Sequence, residues 1–180
     1  MEINVIVDNL SFGIEANKFE LSMYKLGQLL GFVSQRPDKE IRKGPDNLWC
    51  GVNNHYLFFE CKSQVEESRD EITKHEAGQM NNHCAWFDEQ YGNETKVDRF
   101  IIIPTKNLSY QADFTHDIRI IRRGKLKTLK SNIRSFIQEL ATLDLAGIDD
   151  KKLQNLLDLH HLNSSDFRDL YSEEYYHKTR

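Results

Sequence analysis

Two unbroken apolar runs, Leu57-Phe58-Phe59 and Phe100-Ile101-Ile102-Ile103, constrain this chain more than any other feature. Successive side chains of a strand point to opposite sides of the sheet, so an all-apolar strand must be covered on both faces. Between the two runs the period changes. Ala77, Met80, Cys84, Phe87 and Tyr91 are spaced 3, 4, 3 and 4 residues apart, which draws one apolar stripe along a helix. Central strand, long helix, central strand is a βαβ unit, and its two strands should run parallel.

The rest of the pattern extends this unit. The first run belongs to a predicted strand His55–Gln64, joined through the Asn53-Asn54 turn to a predicted strand Asp46–Val52. The helix is expected from about Glu66 to Tyr91, closed by Gly92-Asn93, and the second strand, Arg99–Ile103, ends at Pro104. Upstream, Phe19, Met23, Leu26, Leu29, Leu30 and Phe32 predict an amphipathic helix over Phe19–Phe32, with Gly31 as its stop. Val33–Arg36 reads as a short strand and Pro37–Pro45 as a polar turn. Downstream, the sequence predicts an edge strand at Asp117–Ile121, a helix at Lys125–Leu143, and shorter helices starting near Asp149 and Ser164. The fold class expected is α/β, a mixed β-sheet flanked by helices on both faces, with a helical C-terminal extension.

At 180 residues and 39% hydrophobic, with 9 Gly and 3 Pro, the chain suits one domain burying roughly 70% of its unfolded surface. That composition excludes collagen-like, mucin-like and wholly disordered chains. No stretch approaches the ~20 apolar residues of a membrane span, and the Met1 segment lacks signal-peptide order, so a cytoplasmic location is expected. Cys50, Cys61 and Cys84 are odd in number and show no CxxC spacing, which reads as reduced thiols and not as a disulfide framework or zinc site. The net charge of -4 argues against nonspecific coating of nucleic acid. That average hides a local reversal. From Ile118 to Gln138 there is no acid, while Arg119, Arg122, Arg123, Lys125, Lys127, Lys130 and Arg134 all fall there.

The chemistry concentrates in the hairpin. Asp46 opens one strand and Glu60-Cys61-Lys62 closes the next, so Glu60 and Lys62 share a face, Cys61 takes the other, and Asp46 can meet Glu60 across the turn. Two adjacent carboxylates repel unless a cation separates them, and hard oxygen donors suit Mg²⁺ or Mn²⁺. A neighbouring lysine can orient or help deprotonate a water, or stabilise charge on a phosphate. A surface ion pair is the plain alternative, but charge on an otherwise apolar central strand is costly unless paired or metal-bound. Trp49, Trp86 and the aromatic tail Tyr171, Tyr175 and Tyr176 read as packing residues. His160-His161 is not a metal pair, because adjacent helical residues point about 100° apart.

Pro45-Asp46 followed by Glu60-Cys61-Lys62, in the order helix, strands, long helix, strand, resembles the PD-(D/E)XK nuclease superfamily, the restriction-endonuclease-like fold. The stretch Glu76-Ala77-Gly78-Gln79-Met80-Asn81-Asn82 also resembles nuclease domains attached to, or encoded beside, bacterial helicases, some in phage defence. The resemblance implies a nuclease-like core over 1–143 and a helical extension of the same domain over 144–180. It implies Asp46 and Glu60 as metal ligands with the Cys61 carbonyl, Lys62 as the catalytic lysine, and Glu20, or less well Glu15, as a further ligand from the opening helix. Gln79 matches the glutamine of a Gln-x-x-x-Tyr pair used by several branches, whereas His83 stands where the tyrosine would be. The implied activity is Mg²⁺- or Mn²⁺-dependent hydrolysis of DNA, with Arg119, Arg122, Arg123, Lys125, Lys127 and Lys130 holding phosphates. A helicase domain or subunit is the implied partner, and a homodimer stays open. The alternative is a catalytically silent module that binds nucleic acid or docks a helicase complex.

Overall fold

Hydrophobic alternation along the hairpin decides how the layers stack. A computed structural model of the chain describes residues 3–144 and 147–179. Two helices, α1 (Ile3–Asn9) and α2 (Ala16–Leu29), precede strand β1 (Val33–Gln35) and a short helix α3 (Pro37–Ile41). The hairpin follows as β2 (Asn47–Cys50) and β3 (Tyr56–Cys61), and α4 (Lys74–Tyr91) crosses from it to β4 (Val97–Ile102). After β5 (Asn107–Leu108) come β6 (Ile118–Ile121), α5 (Arg123–Leu140), α6 (Asp150–Leu159), α7 (Ser164–Asp169), β7 (Glu173–Glu174) and β8 (Tyr176–His177).

The main sheet runs β1-β2-β3-β4-β6-β7. It is parallel at β3/β4 and β4/β6 and antiparallel at the other three junctions, so the sheet is mixed. Leu57, Phe59 and Cys61 of β3 face one core with α1, α2, α5 and Phe167 of α7. Phe58 faces the other, against Ala77, Met80, Cys84 and Phe87 of α4. Each fully buried Phe or Leu contributes about 1.5–3 kcal/mol of transfer free energy, which makes these two layers the main source of cohesion. The α/β class, the parallel β3–α4–β4 unit and helices on both faces are as the sequence predicts.

Four local expectations are corrected. The long helix starts at Lys74, not Glu66, because Thr73 and Glu76 form a capping box and residues 66–73 carry no helical apolar period. Pro37–Pro45 is not simply a turn: Pro37 opens α3, where its fixed φ suits the first helical position, and Arg42 at φ 58 ends it. β6 is not an edge, because β7 pairs with it through Arg119↔Glu174 and Ile120↔Glu173. The C-terminal segment is accordingly not wholly helical; it returns to the sheet with β7 and pairs β8 with β5. Among the described residues no helix is long and apolar enough to cross a membrane.

Candidate active site

The hairpin brings its acids together by register. β2 and β3 pair Asn47 with Phe59, so the next step outward sets Asp46 opposite Glu60. Asp46 Oδ2 accepts a hydrogen bond from the Cys61 amide at 2.6 Å, which fixes the carboxylate over the end of β3. Two contacts hold the approach to Asp46. Asp38 N donates to the Pro45 carbonyl at 3.2 Å, and Gly44, at φ +82, lies so close to the Trp86 ring that an added Cβ would sit 2.5 Å from it. Glycine is required there both for the left-handed backbone and for the close approach.

On β3, Glu60 faces α4 while Cys61 turns into the opposite core, as strand alternation demands. Lys62 continues the β3/β4 pairing through its amide bond to the Ile102 carbonyl at 2.8 Å. Its Nζ lies between Glu60 Oε1 at 2.9 Å and Gln79 Oε1 at 2.8 Å. Gln79 and His83 are four residues apart on α4 and share a face, so His83 reaches the same carboxylate, its Nδ1 at 2.8 Å from Glu60 Oε2. Glu60 itself is 1% exposed. Burial would raise its pKa, but the His83 hydrogen bond and the Lys62 charge outweigh burial and hold it below the usual range. The same contacts keep Lys62 and His83 above their ordinary values despite the opposing effect of burial.

Asp46 is the contrast. Removal from water, then the charge of Glu60 and, more weakly, that of Glu20, push its pKa from 3.8 up to about 8 against the pull of the Cys61 amide and Lys62. Glu20, from α2, lines the same cleft, but its Oε2 is paired with Arg36 at 2.7 Å and faces Lys39 at 3.6 Å. The Asn47 side chain donates to the Glu20 carbonyl at 3.0 Å and so fastens α2 to the hairpin. Glu15 caps α2 and is not part of the lining. The resulting cleft, about 350 Å³, is lined by Glu20, Asp38, Asp46, Glu60, Lys62, Gln79 and His83 among others.

The chain matches no protein-family model and no curated protein. The reading of the cleft therefore rests on its own residues. Among the described residues no three Asp, Glu, His or Cys side chains already converge as a cation cage. The reason is visible in the hydrogen bonds: Glu60 is turned to Lys62 and His83, and Glu20 to Arg36. The donor chemistry nonetheless fits Mg²⁺ or Mn²⁺, because Asp46 is a desolvated carboxylate facing two further carboxylates, and a cation relieves that repulsion.

The basic segment splits into two groups. Arg119 is spent inside the protein, with Nε donating to Ser172 Oγ at 3.0 Å and its guanidinium to the Arg168 and Ser172 carbonyls. Arg122 pairs with Glu173, and Lys125 donates to the Leu170 carbonyl at 3.1 Å. These three fasten the C-terminal segment. Arg123, Lys127 and Lys130 instead line an open groove, joined there by Arg134. The strand Glu173–Glu174 that occupies Arg119 and Arg122 has no apolar pattern, so nothing in the sequence announced it. His83 was in view as a same-face neighbour of Gln79, and only the packing of α4 on β3 assigns it to Glu60. Glu76, on that face one turn earlier, belongs to the capping box and to an ion pair with Arg69.

Proposed function

We propose that the chain is a Mg²⁺- or Mn²⁺-dependent deoxyribonuclease of the PD-(D/E)XK type, acting with a helicase in a DNA-processing or phage-defence system. The observation that carries the reading is the gathering of Asp46, Glu60, Lys62 and Gln79 on one open cleft at the end of β3. Asp46, Glu60 and the Cys61 carbonyl would hold the ion, with Glu20 in reach once released from Arg36. When bound, the ion supplies Lewis-acid neutralisation of charge on the phosphate.

The protein's own groups divide the remaining work. Lys62, kept protonated by Glu60, acts as a fixed ammonium that donates toward the phosphate and stabilises the charge developing there. Gln79 holds that ammonium in place by accepting a hydrogen bond from it. His83 and Lys62 together hold both oxygens of Glu60, which keeps this carboxylate ionised and oriented. The choice of DNA and of a helicase partner is supported by the sequence resemblance of residues 45–62 and 76–82 alone.

One observation favours a second reading, a silent binding module. Glu60 is fully occupied by Lys62 and His83, leaving Asp46 as the cleft's uncompensated acid. Incubation with plasmid and Mn²⁺, beside calorimetric titration of the metal, separates the two. Wild type should cleave, and Lys62→Ala should lose about 100-fold or more while still binding the ion. If the two proteins behave alike and no metal heat appears, the nuclease reading fails.

A further inference from the structure

Beside the cleft lies a second cavity of about 300 Å³, and its walls differ in kind from those of the first. One wall is a face of α5 carrying Arg123, Lys127, Lys130 and Arg134; the other is the loop after α1, with Leu10, Ser11 and Phe12. The four cations stand at helical positions i, i+4, i+7 and i+11, and at about 1.5 Å rise per residue the row extends roughly 16 Å. That length exceeds what one phosphate can touch. Two of the cations have acidic partners, Arg123 with Glu67 and Arg134 with Asp8 at 2.7 Å, the latter on an exposed side chain. Lys127 has no hydrogen-bond or ion-pair partner among the described residues, and Lys130 donates only to the neutral Ser11 hydroxyl at 2.6 Å. Partial burial and, after it, the neighbouring Arg134 hold the Lys130 pKa below its usual value.

Hydrogen bonds tie the loop of the groove to the segment that follows Lys62 in the cleft. Gly13 N donates to the Ser63 carbonyl at 2.8 Å, Ser63 Oγ to the Ile14 carbonyl at 3.0 Å, and Ala16 N to Gln64 Oε1 at 3.0 Å. The loop that carries Phe12 therefore runs directly into the segment after Lys62. Arg123 reaches that segment too, through Glu67.

Shape decides which anionic chain fits. The cavity is at the small end of the roughly 300–1,000 Å³ typical of ligand sites, with room for about one nucleotide. Part of its lining is apolar: Leu10 and Leu126 are buried, and Phe12 is half-buried and packed at the margin of the same core. Cations along a rail with an aromatic beside them are the elements that bind single strands, phosphates on the rail and a base against the ring. We infer that this groove binds a nucleic-acid single strand and delivers it to the cleft, an inference that rests on the nucleic-acid substrate proposed above.

Binding of fluorescent dT oligomers, the matching duplex and poly-glutamate by the full chain in EDTA tests this without any metal or turnover. The single strand should bind at least tenfold tighter than the duplex or the polyacid, with a log–log salt slope of about -2 to -3 for three or four phosphates. Lys127→Glu/Arg134→Glu should weaken it tenfold or more and flatten that slope. Phe12→Ala should weaken it several-fold and leave the slope unchanged. Circular dichroism should report both variants folded. Equal binding by wild type and the folded charge-reversal variant overturns the inference, as does duplex or poly-glutamate binding as tight as that of dT. Strand binding that survives where metal-dependent cleavage is absent leaves the groove standing and removes the nuclease. Cleavage indifferent to the groove variants does the reverse.

Discussion

Replacing Asp46 by Asn should stabilise the protein while removing the proposed activity. Asn keeps the shape and an oxygen that accepts from the Cys61 amide, so the contact at 2.6 Å is retained. What is lost is a carboxyl group whose pKa desolvation, then Glu60 and Glu20, raise from 3.8 to about 8. An acid raised in this way binds more protons folded than unfolded. Its contribution is therefore fully favourable below about pH 4 and is lost as pH rises toward about 8. At about 1.4 kcal/mol per pH unit, the difference at pH 7 has an upper bound of about 4 kcal/mol. Asp46 keeps part of its surface open to the cleft. Screening there by water brings the expected gain for Asp46→Asn to about 1–3 kcal/mol. Urea unfolding in EDTA measures it: with a slope of about 1–3 kcal/mol/M, the midpoint should rise by roughly 1 M. The gain should be larger at pH 8 than at pH 5, and added Mn²⁺ should stabilise wild type more than the variant. A variant less stable than wild type at pH 8, or a difference independent of pH, refutes the argument that the cleft holds an acid against its preference.

Three further outcomes follow from other parts of the structure. Gly44→Ala must place a Cβ about 2.5 Å from the Trp86 ring at a positive φ, and should cost about 2–5 kcal/mol in thermal or urea unfolding, with Asp46 displaced and activity lost. Gln79→Ala removes one anchor of Lys62 without touching the core, and should lower metal-dependent cleavage about 10- to 100-fold at unchanged stability; unchanged cleavage would count against its positioning role. In acid, the His55 and Arg168 contacts outweigh burial and hold Asp98 below its ordinary 3.8, so their stabilising effect is present above that pH and lost as pH falls further. Asp98→Asn should therefore show a flatter loss of stability than wild type below about pH 4 in urea midpoints measured across that range.

Much of this arrangement was legible because it is local. The unbroken runs at 57–59 and 100–103 mark the two central strands, and the 3-4 stripe from Ala77 to Tyr91 marks the helix between them. Alternation alone places Glu60 and Lys62 on one face, and the i, i+4 relation places Gln79 and His83 together. The misreadings are equally physical. Polar sequence before an apolar stripe resembles a first turn and draws the predicted helix back over 66–73, whereas Thr73 supplies the cap. The basic run reads as one patch, yet Arg119, on the sheet, turns to Ser172 while Lys127, on α5, faces solvent. Residues adjacent in a charge run share no face when one lies on a strand and the other on a helix.

What the sequence by itself determined is the set of faces: which side of each strand and helix is apolar, and where carboxylates interrupt it. Those follow from the 2.0 and 3.6 residue periods and need no partner. Only the tertiary structure decided which faces meet. Lys130 reaches Ser11, Arg134 reaches Asp8, and Glu173 and Glu174 close the sheet beside β6 across long stretches of chain. Such pairings leave no periodic trace, because they depend on how all the layers pack at once. The cleft was written locally in the hairpin and α4; the groove beside it exists because the loop after α1 and a face of α5 are folded against each other.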